Sequence, residues 1–191
     1  TFAVTVWDSP EWQQALHREY ARVQPREILI PEPLEVALDI PQAASPAFPT
    51  TVQPWAAHHF HPERAYRTLI QQFAVHTLDG FGCEGQPLAI AAAGALVAYV
   101  HETQHNTMAH LNGLRLYSTS DFMVLDETTR RHLELTTSPL SQGRAGSLLA
   151  VIDGTVTAMG GRLLRQWLSQ PLCRLQPLQE RQEAVAELVE H

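Results

Sequence analysis

Apolar positions along this chain follow two periods, and the switch between them divides it. Phe2 to Trp7 alternates with β-branched residues and predicts a strand. Asp8-Ser9-Pro10 then turns into a helix from about Glu11 to Arg22, with Ser9 as cap and Pro10 in the first turn. Glu27 to Ile30 is a short apolar run that Pro31 and Pro33 are expected to stop. Strand, helix, strand is a thin sheet layer, so the chain is expected to open inside a domain whose earlier strands precede it. Residues 31 to 62 hold seven prolines and no helical period, which predicts loop with a short strand near Thr51.

From Pro62 the helical period returns. A helix over Pro62 to Phe73 places Ala65, Leu69, Ile70 and Phe73 on one side, with Glu63 in its first turn. Asp79 to Gly82 is a loop. A second helix, Pro87 to about His105, is dense in small residues (Ala89, Ala91, Ala92, Ala93, Gly94, Ala95, Ala98), so neighbours can approach it closely and it is expected to be buried on most sides. Leu114 to Tyr117 reads as a short strand.

Past Phe122 the pattern is helical throughout. Asp126 is a cap for a helix whose apolar side holds Leu133 and Leu135, and Thr137 to Gly146 is loop. Further helices run from about Ser147 to Asp153, Ala158 to Ser169 and Leu175 to Glu190. Met159, Leu163, Leu164, Trp167 and Leu168 form a wide stripe on the middle one. Gly160-Gly161 at its start costs roughly 1–2 kcal/mol of propensity, and close packing against another helix is the expected compensation. If Trp167 sits in a packed joint, truncating it to alanine costs several kcal/mol through the cavity left behind. The predicted fold class is an α/β part followed by a mostly α-helical part.

Composition narrows the function. With 191 residues and 45% hydrophobic content the chain can bury a real core. Thirteen arginines face twenty acids, a formal charge of −7, and there is no lysine, so the basic surface of an autonomous nucleic-acid binder is missing. The imbalance is uneven: residues 1 to 109 carry five arginines against eleven acids, and residues 110 to 191 carry eight against nine. Cys83 and Cys173 are too few for a disulfide framework and agree with a reducing compartment. No basic start precedes an apolar run, which predicts no signal peptide, and Leu88 to Val100 is too short for a bilayer span.

Three groups of residues invite a chemical reading. His101-Glu102-Thr103-Gln104-His105 is a literal HExxH: histidines four apart on a helix can grip one zinc while the glutamate activates its water. The longer HExxHxxGxxH form fails, because Met108 and Leu111 stand where glycine and histidine are needed. The reading preferred is a helical end with no metal, and the zinc-dependent hydrolase using His101, Glu102 and His105 is the alternative. His58, His59 and His61 form HHFH, but alternating side chains point apart and no cysteine or carboxylate pair completes a shell. A GxxxxGK[ST] phosphate loop is absent, so no catalytic or cofactor-binding residue is assigned. Arg130, Arg131, Arg162 and Arg165 could touch a DNA backbone, but each pair lies within reach of local acids, Arg130 of Asp126, Glu127 or Glu134, so a solvated or interdomain salt bridge is the preferred reading.

Several phrases are more specific than any of these. RVQPREILIP (22–31), LDGFG (78–82), AAGALVAYVHETQ (92–104), LDETTRRHLEL (125–135) and SLLAVIDGTVTAMGGRLLRQWLSQPL (147–172) run in order along nearly the whole chain. In that wording the chain resembles the connector and core regions of the MutS family of bacterial DNA mismatch recognition proteins. The resemblance implies an RNase H-like connector over residues 1–107, in its later part, and the start of a helical core (lever) domain over 108–191.

It also implies a parent that is a cytoplasmic, dimeric, DNA-dependent ATPase using ATP and Mg2+. Such a parent would bind mismatched double-stranded DNA and signal to MutL. The family's Phe-x-Glu reading motif and its ATPase loop fall outside these residues. The segment itself is therefore expected to be no enzyme and to hold no cofactor. Its implied role is that of a structural and allosteric connector between mismatch-binding and ATPase domains, through intramolecular domain contacts and a docking surface for MutL, with no membrane partner. A stand-alone protein-interaction module is a further alternative.

Overall fold

A computed structural model describes residues 2–34, 50–103, 108, 111–141 and 143–190. They fall into two compact units: Thr1–His17 with Gln24–Ser118, and Arg18–Val23 with Thr119–His191.

The first unit is mixed. Strand β1 (Ala3–Val4) precedes helix α1 (Trp12–Val23), of which Arg18–Val23 is assigned to the second unit, and strand β2 (Glu27–Glu32) follows. β2 pairs in parallel with β3 (Thr51–Ala56), Glu27 against Thr51 through Glu32 against Ala56. The strand thus continues through Pro31, where the sequence pattern predicted a stop. Proline lacks only the N–H donor, and in a two-stranded ladder every strand is an edge that tolerates the loss. Pro54 lies inside β3 on the same grounds.

A 3-10 turn over Ala57–Phe60 leads into α2 (Pro62–Phe73), with proline in the first turn where its missing N–H costs nothing. α2 ends at Ala74, which takes the left-handed conformation, φ 52°, and lets the Val75 N–H bond back to the Ile70 carbonyl at 3.1 Å. A tight turn over Asp79–Phe81, closed by Gly82 at φ 69°, precedes α3 (Pro87–Thr103). Strand β4 (Arg115–Leu116) then pairs in parallel with β1.

The core of this unit is the α2–α3 crossing. Ala65, Leu69, Ala89, Ile90, Ala93 and Val97 are buried there with Leu78, Cys83, Met108 and Leu114. The helices come close at Gly94: a methyl placed on it would lie 2.5 Å from the Cα and Cβ of Ala65 and 2.6 Å from its carbonyl oxygen. The expectation that α3 is buried on most sides holds for Ala89, Ala93 and Ala95. Leu88, at 65% exposure, and Leu96 face solvent.

The second unit is helical: α4 (Glu127–His132), α5 (Leu148–Ile152), α6 (Ala158–Ser169) and α7 (Leu175–Glu190). Asp126 caps α4 by accepting the Thr129 N–H at 2.6 Å, and Ser147 caps α5 by accepting the Ala150 N–H at 3.2 Å. α4 is shorter than predicted. Leu133 terminates it and Glu134 turns at φ 46°, so Leu133 and Leu135 lie past its end rather than along one face. The Leu148 and Leu149 N–H groups bond to the Glu134 and Leu135 carbonyls, which ties α5 to that turn. Phe122 and Leu172 form an antiparallel bridge. No residue of α6 or α7 is buried.

The Gly160-Gly161 pair does not pack against another helix. A methyl on either glycine would meet Thr155, 3.3 Å from its Cβ in one case and 3.2 Å from its Oγ1 in the other. The two glycines let the turn 153–157 fold back on the first turn of α6, where Thr157 caps by accepting the Gly160 N–H at 3.0 Å. Asp153 closes that turn, accepting from the Thr155 N–H (2.9 Å) and Oγ1 (2.6 Å) and pairing with Arg144.

Candidate functional site: a groove between two helix starts

Prolines open both α2 and α3, and the turns before them bring the two N-termini of the first unit together. Between them lies an open, almost wholly apolar groove of about 370 Å³. Pro62, Tyr66, Pro87 and Ile90 form its walls, with Glu63, Arg67 and Gln86 among its other lining residues. The Tyr66 hydroxyl donates to Glu84 at 3.3 Å, and the same carboxylate oxygen accepts the Leu78 N–H at 3.3 Å. Loss of water around the Tyr66 phenol, with Glu84 beside it, raises its pKa and keeps it a neutral donor. Arg67 is exposed beside this wall. The apolar walls offer packing surface, and Arg67 offers a charge-assisted hydrogen bond at their edge.

The histidines predicted as candidates are differently placed. His101 is exposed near the end of α3, and its Nε2 sits 2.8 Å from the Gln72 Oε1. That nitrogen of His101 is thereby engaged by the Gln72 amide. Gln72 is oriented by donating its own amide to the Met108 and Leu111 carbonyls at 3.1 and 3.3 Å. Glu102 is exposed, and His105 lies outside the described residues. His58 and His59 come together where alternation predicted them apart, with ring centroids 4.0 Å apart, and His61 is exposed. The His59 ring is buried and stacked on Trp55, with centroids 3.6 Å apart. Among the described residues no group of three or more His, Cys, Asp or Glu side chains could hold a metal ion.

Arg130 donates its Nε–H to the Leu125 carbonyl at 3.0 Å, while Asp126 is occupied as the α4 cap. Burial, then the neighbouring Arg22, lowers the Arg130 pKa, and Glu19, which pairs with Arg22, opposes them. Arg131, Arg162 and Arg165 are exposed. Trp167 is half-buried, its ring covered by the Arg181 guanidinium 3.9 Å above the centroid, and so is not the packed joint of the sequence reading. Cys83 is buried and Cys173 exposed, both as free thiols, and burial raises the Cys83 pKa. Among the described residues no helix is long and apolar enough to cross a membrane.

Sequence reasoning missed the groove, Gln72 and the Trp55 stack. Proline at two helix starts was the only local signal of the first.

The described residues thus form a mixed β/α unit followed in the chain by a mostly helical one. Comparison with known proteins identifies the family. Residues 1–112 match the family model described as MutS domain II, and residues 128–191 match MutS domain III. The chain belongs to the MutS family. It is 42% identical over 190 residues to a DNA mismatch repair protein MutS of Symbiobacterium thermophilum, covering 98% of this chain and 21% of that relative. To its namesake in Desulfosudis oleivorans it is 41% identical over 180 residues, 93% of this chain and 20% of the other. To that of Roseiflexus castenholzii it is 49% identical over 138 residues, 72% and 13%. The chain therefore spans about a fifth of the length of the first two relatives.

Proposed function

We propose that this segment is the structural and allosteric connector of a cytoplasmic mismatch-recognition ATPase, and that its α2–α3 groove docks MutL. In this reading residues 1–107 are the later portion of an RNase H-like connector and 108–191 begin the helical core. The parent protein binds mismatched double-stranded DNA, uses ATP and Mg2+, and acts as a dimer; the segment holds and relays. The observation that carries the docking role is the groove itself, an apolar surface with Arg67 exposed beside it. Interfaces draw their binding energy from such apolar clefts with an arginine nearby. The net charge of −7 and the absence of lysine support placing DNA contact elsewhere in the parent.

Calorimetric titration of MutL into the chain tests docking. Arg67→Glu with Gln86→Arg should weaken binding at least tenfold while leaving the melting temperature unchanged, and unaltered affinity would remove the groove from the interface. A mismatched-duplex shift assay at low salt should show little or no binding; a strong mismatch preference would overturn the assignment of recognition to other residues. The zinc-hydrolase reading draws no support from the His101–Gln72 hydrogen bond. About one zinc per chain after chelator-free purification, lost in His101→Ala, would restore it.

A further inference from the structure

The aromatic cluster between β3 and α2 is used by none of the roles above. Trp55, in β3, stacks face to face on His59 at 3.6 Å and 10° between planes. The edge of Tyr99, from α3, meets Trp55 at 5.5 Å, and Phe60 closes the other edge at 6.4 Å. The Tyr99 hydroxyl is held by Glu27 of β2. One side chain therefore gathers β2, β3, the 3-10 turn and α3 into a single knot, and His59 is its buried centre at 7% exposure. The Nδ1 of His59 has no hydrogen-bond partner among the described residues.

We propose that the Trp55–His59 stack is an acid-labile clasp, which holds β3 and the entry to α2 against the core while His59 is neutral and opens when His59 takes a proton. Every element around the ring bears on that proton. The 3-10 turn contributes His58, whose ring centroid is 4.0 Å away, and the exposed His61; α2 contributes Arg64; α3 contributes Glu102 and the Glu27-bound Tyr99; β3 contributes only the neutral Trp55. Stacking on an indole face favours the cation, and so does Glu102. Burial acts against it first, followed by His58 and Arg64, and their balance holds the imidazole below its ordinary value of 6.5. A proton added at Nδ1 would be a buried charge facing no acceptor, which the ring escapes by leaving the stack.

The sign follows from linkage. The folded chain binds fewer protons at His59 than the unfolded chain, so the clasp's contribution is complete above the ordinary imidazole value and is lost as pH falls below it. Opening reaches the next element directly. The His61 N–H bonds to the His58 carbonyl at 3.4 Å, and the His61 carbonyl accepts the first helical hydrogen bond of α2, from Ala65 at 2.9 Å. Releasing His59 therefore frees the first turn of α2. This inference stands whether or not the neighbouring groove binds a partner.

The test is a pH titration of the chain labelled with 5-fluorotryptophan, followed by 19F NMR, with Trp55 assigned by its loss in Trp55→Phe and the histidine ring protons read in parallel. The Trp55 resonance should shift with the same midpoint as His59, below the ordinary imidazole value. His59→Gln should abolish that shift. Arg64→Gln should raise the midpoint and Glu102→Gln should lower it, so the inference remains testable if His59→Gln does not fold. A Trp55 resonance that does not move while the His59 ring protons titrate would overturn it. So would a transition that survives in His59→Gln, or a His59 midpoint at or above the ordinary value.

Discussion

Helices α2 and α6 are each twelve residues long, begin beside a small-residue or proline signal and carry an apolar stripe, yet they end in opposite states. α2 buries Ala65 and Leu69 to 1% and 0% exposure. α6 leaves Met159 at 76% and Leu163 at 47%. The difference lies in where each unit places its smallest residues. In the first unit Gly94 meets Ala65 from another helix, the backbones close to contact, and the larger side chains on either side are sealed from water. In the second, Gly160 and Gly161 are occupied by Thr155 from the preceding turn, so the same economy of volume closes a corner instead of a core. A glycine pair in a helix thus says that something comes close without saying what.

The largest effect expected is at the helix crossing. Gly94→Ala puts a methyl inside the Ala65 backbone, which only separation of α2 from α3 can relieve, and the cost should be about 3 kcal/mol in urea denaturation. A loss under about 1 kcal/mol would show that the crossing is loose and that the contrast between the units is overstated. Trp167→Ala comes next. Because the ring is half-buried and covered by Arg181 rather than enclosed, the loss should be about 1–2 kcal/mol instead of the several kcal/mol of a core tryptophan. A value above about 3 kcal/mol would place Trp167 in a true core.

Gly161→Ala should fall within about 0.5 kcal/mol of neutral, since the added methyl meets the hydroxyl end of Thr155 at 3.2 Å while the helix gains propensity. If it costs as much as Gly94→Ala, the two glycine sites work alike and the comparison fails. The last effect is on pH. Bonds from the Thr155 hydroxyl and N–H, then Arg144, hold the Asp153 carboxyl below its ordinary value of 3.8. Its stabilisation of the corner is complete above that value and is lost as pH falls through the lowered one. Amide exchange at Thr155 and Gly160 should therefore accelerate with acid relative to α2 amides. No differential change would detach Asp153 from the corner.

Much of the secondary structure was legible because its causes are local. Pro62 and the αL residue Ala74 bound α2, and the predicted limits of α6 and α7 coincide with the observed ones. The strand through Pro31 was misread because proline's penalty depends on whether a partner needs its N–H, which is a property of the ladder. Leu133 and Leu135 were assigned to one helical face because periodicity does not register a turn such as that at Glu134. The HExxH spacing was legible as letters, while the occupation of His101 by Gln72 depends on a residue twenty-nine positions away.

By itself, then, the sequence determined where most helices start and stop, and through its ordered phrases it determined the MutS family. Caps, prolines and periodicity act within a few residues, and such information is written continuously along the chain. Only the tertiary structure decided which stripe became a core, which glycine touched another helix, which of three clustered histidines was buried, and that two helix starts enclose a groove. Each of those outcomes depends on the approach of surfaces remote in sequence, where a separation of one methyl group changes what can pack.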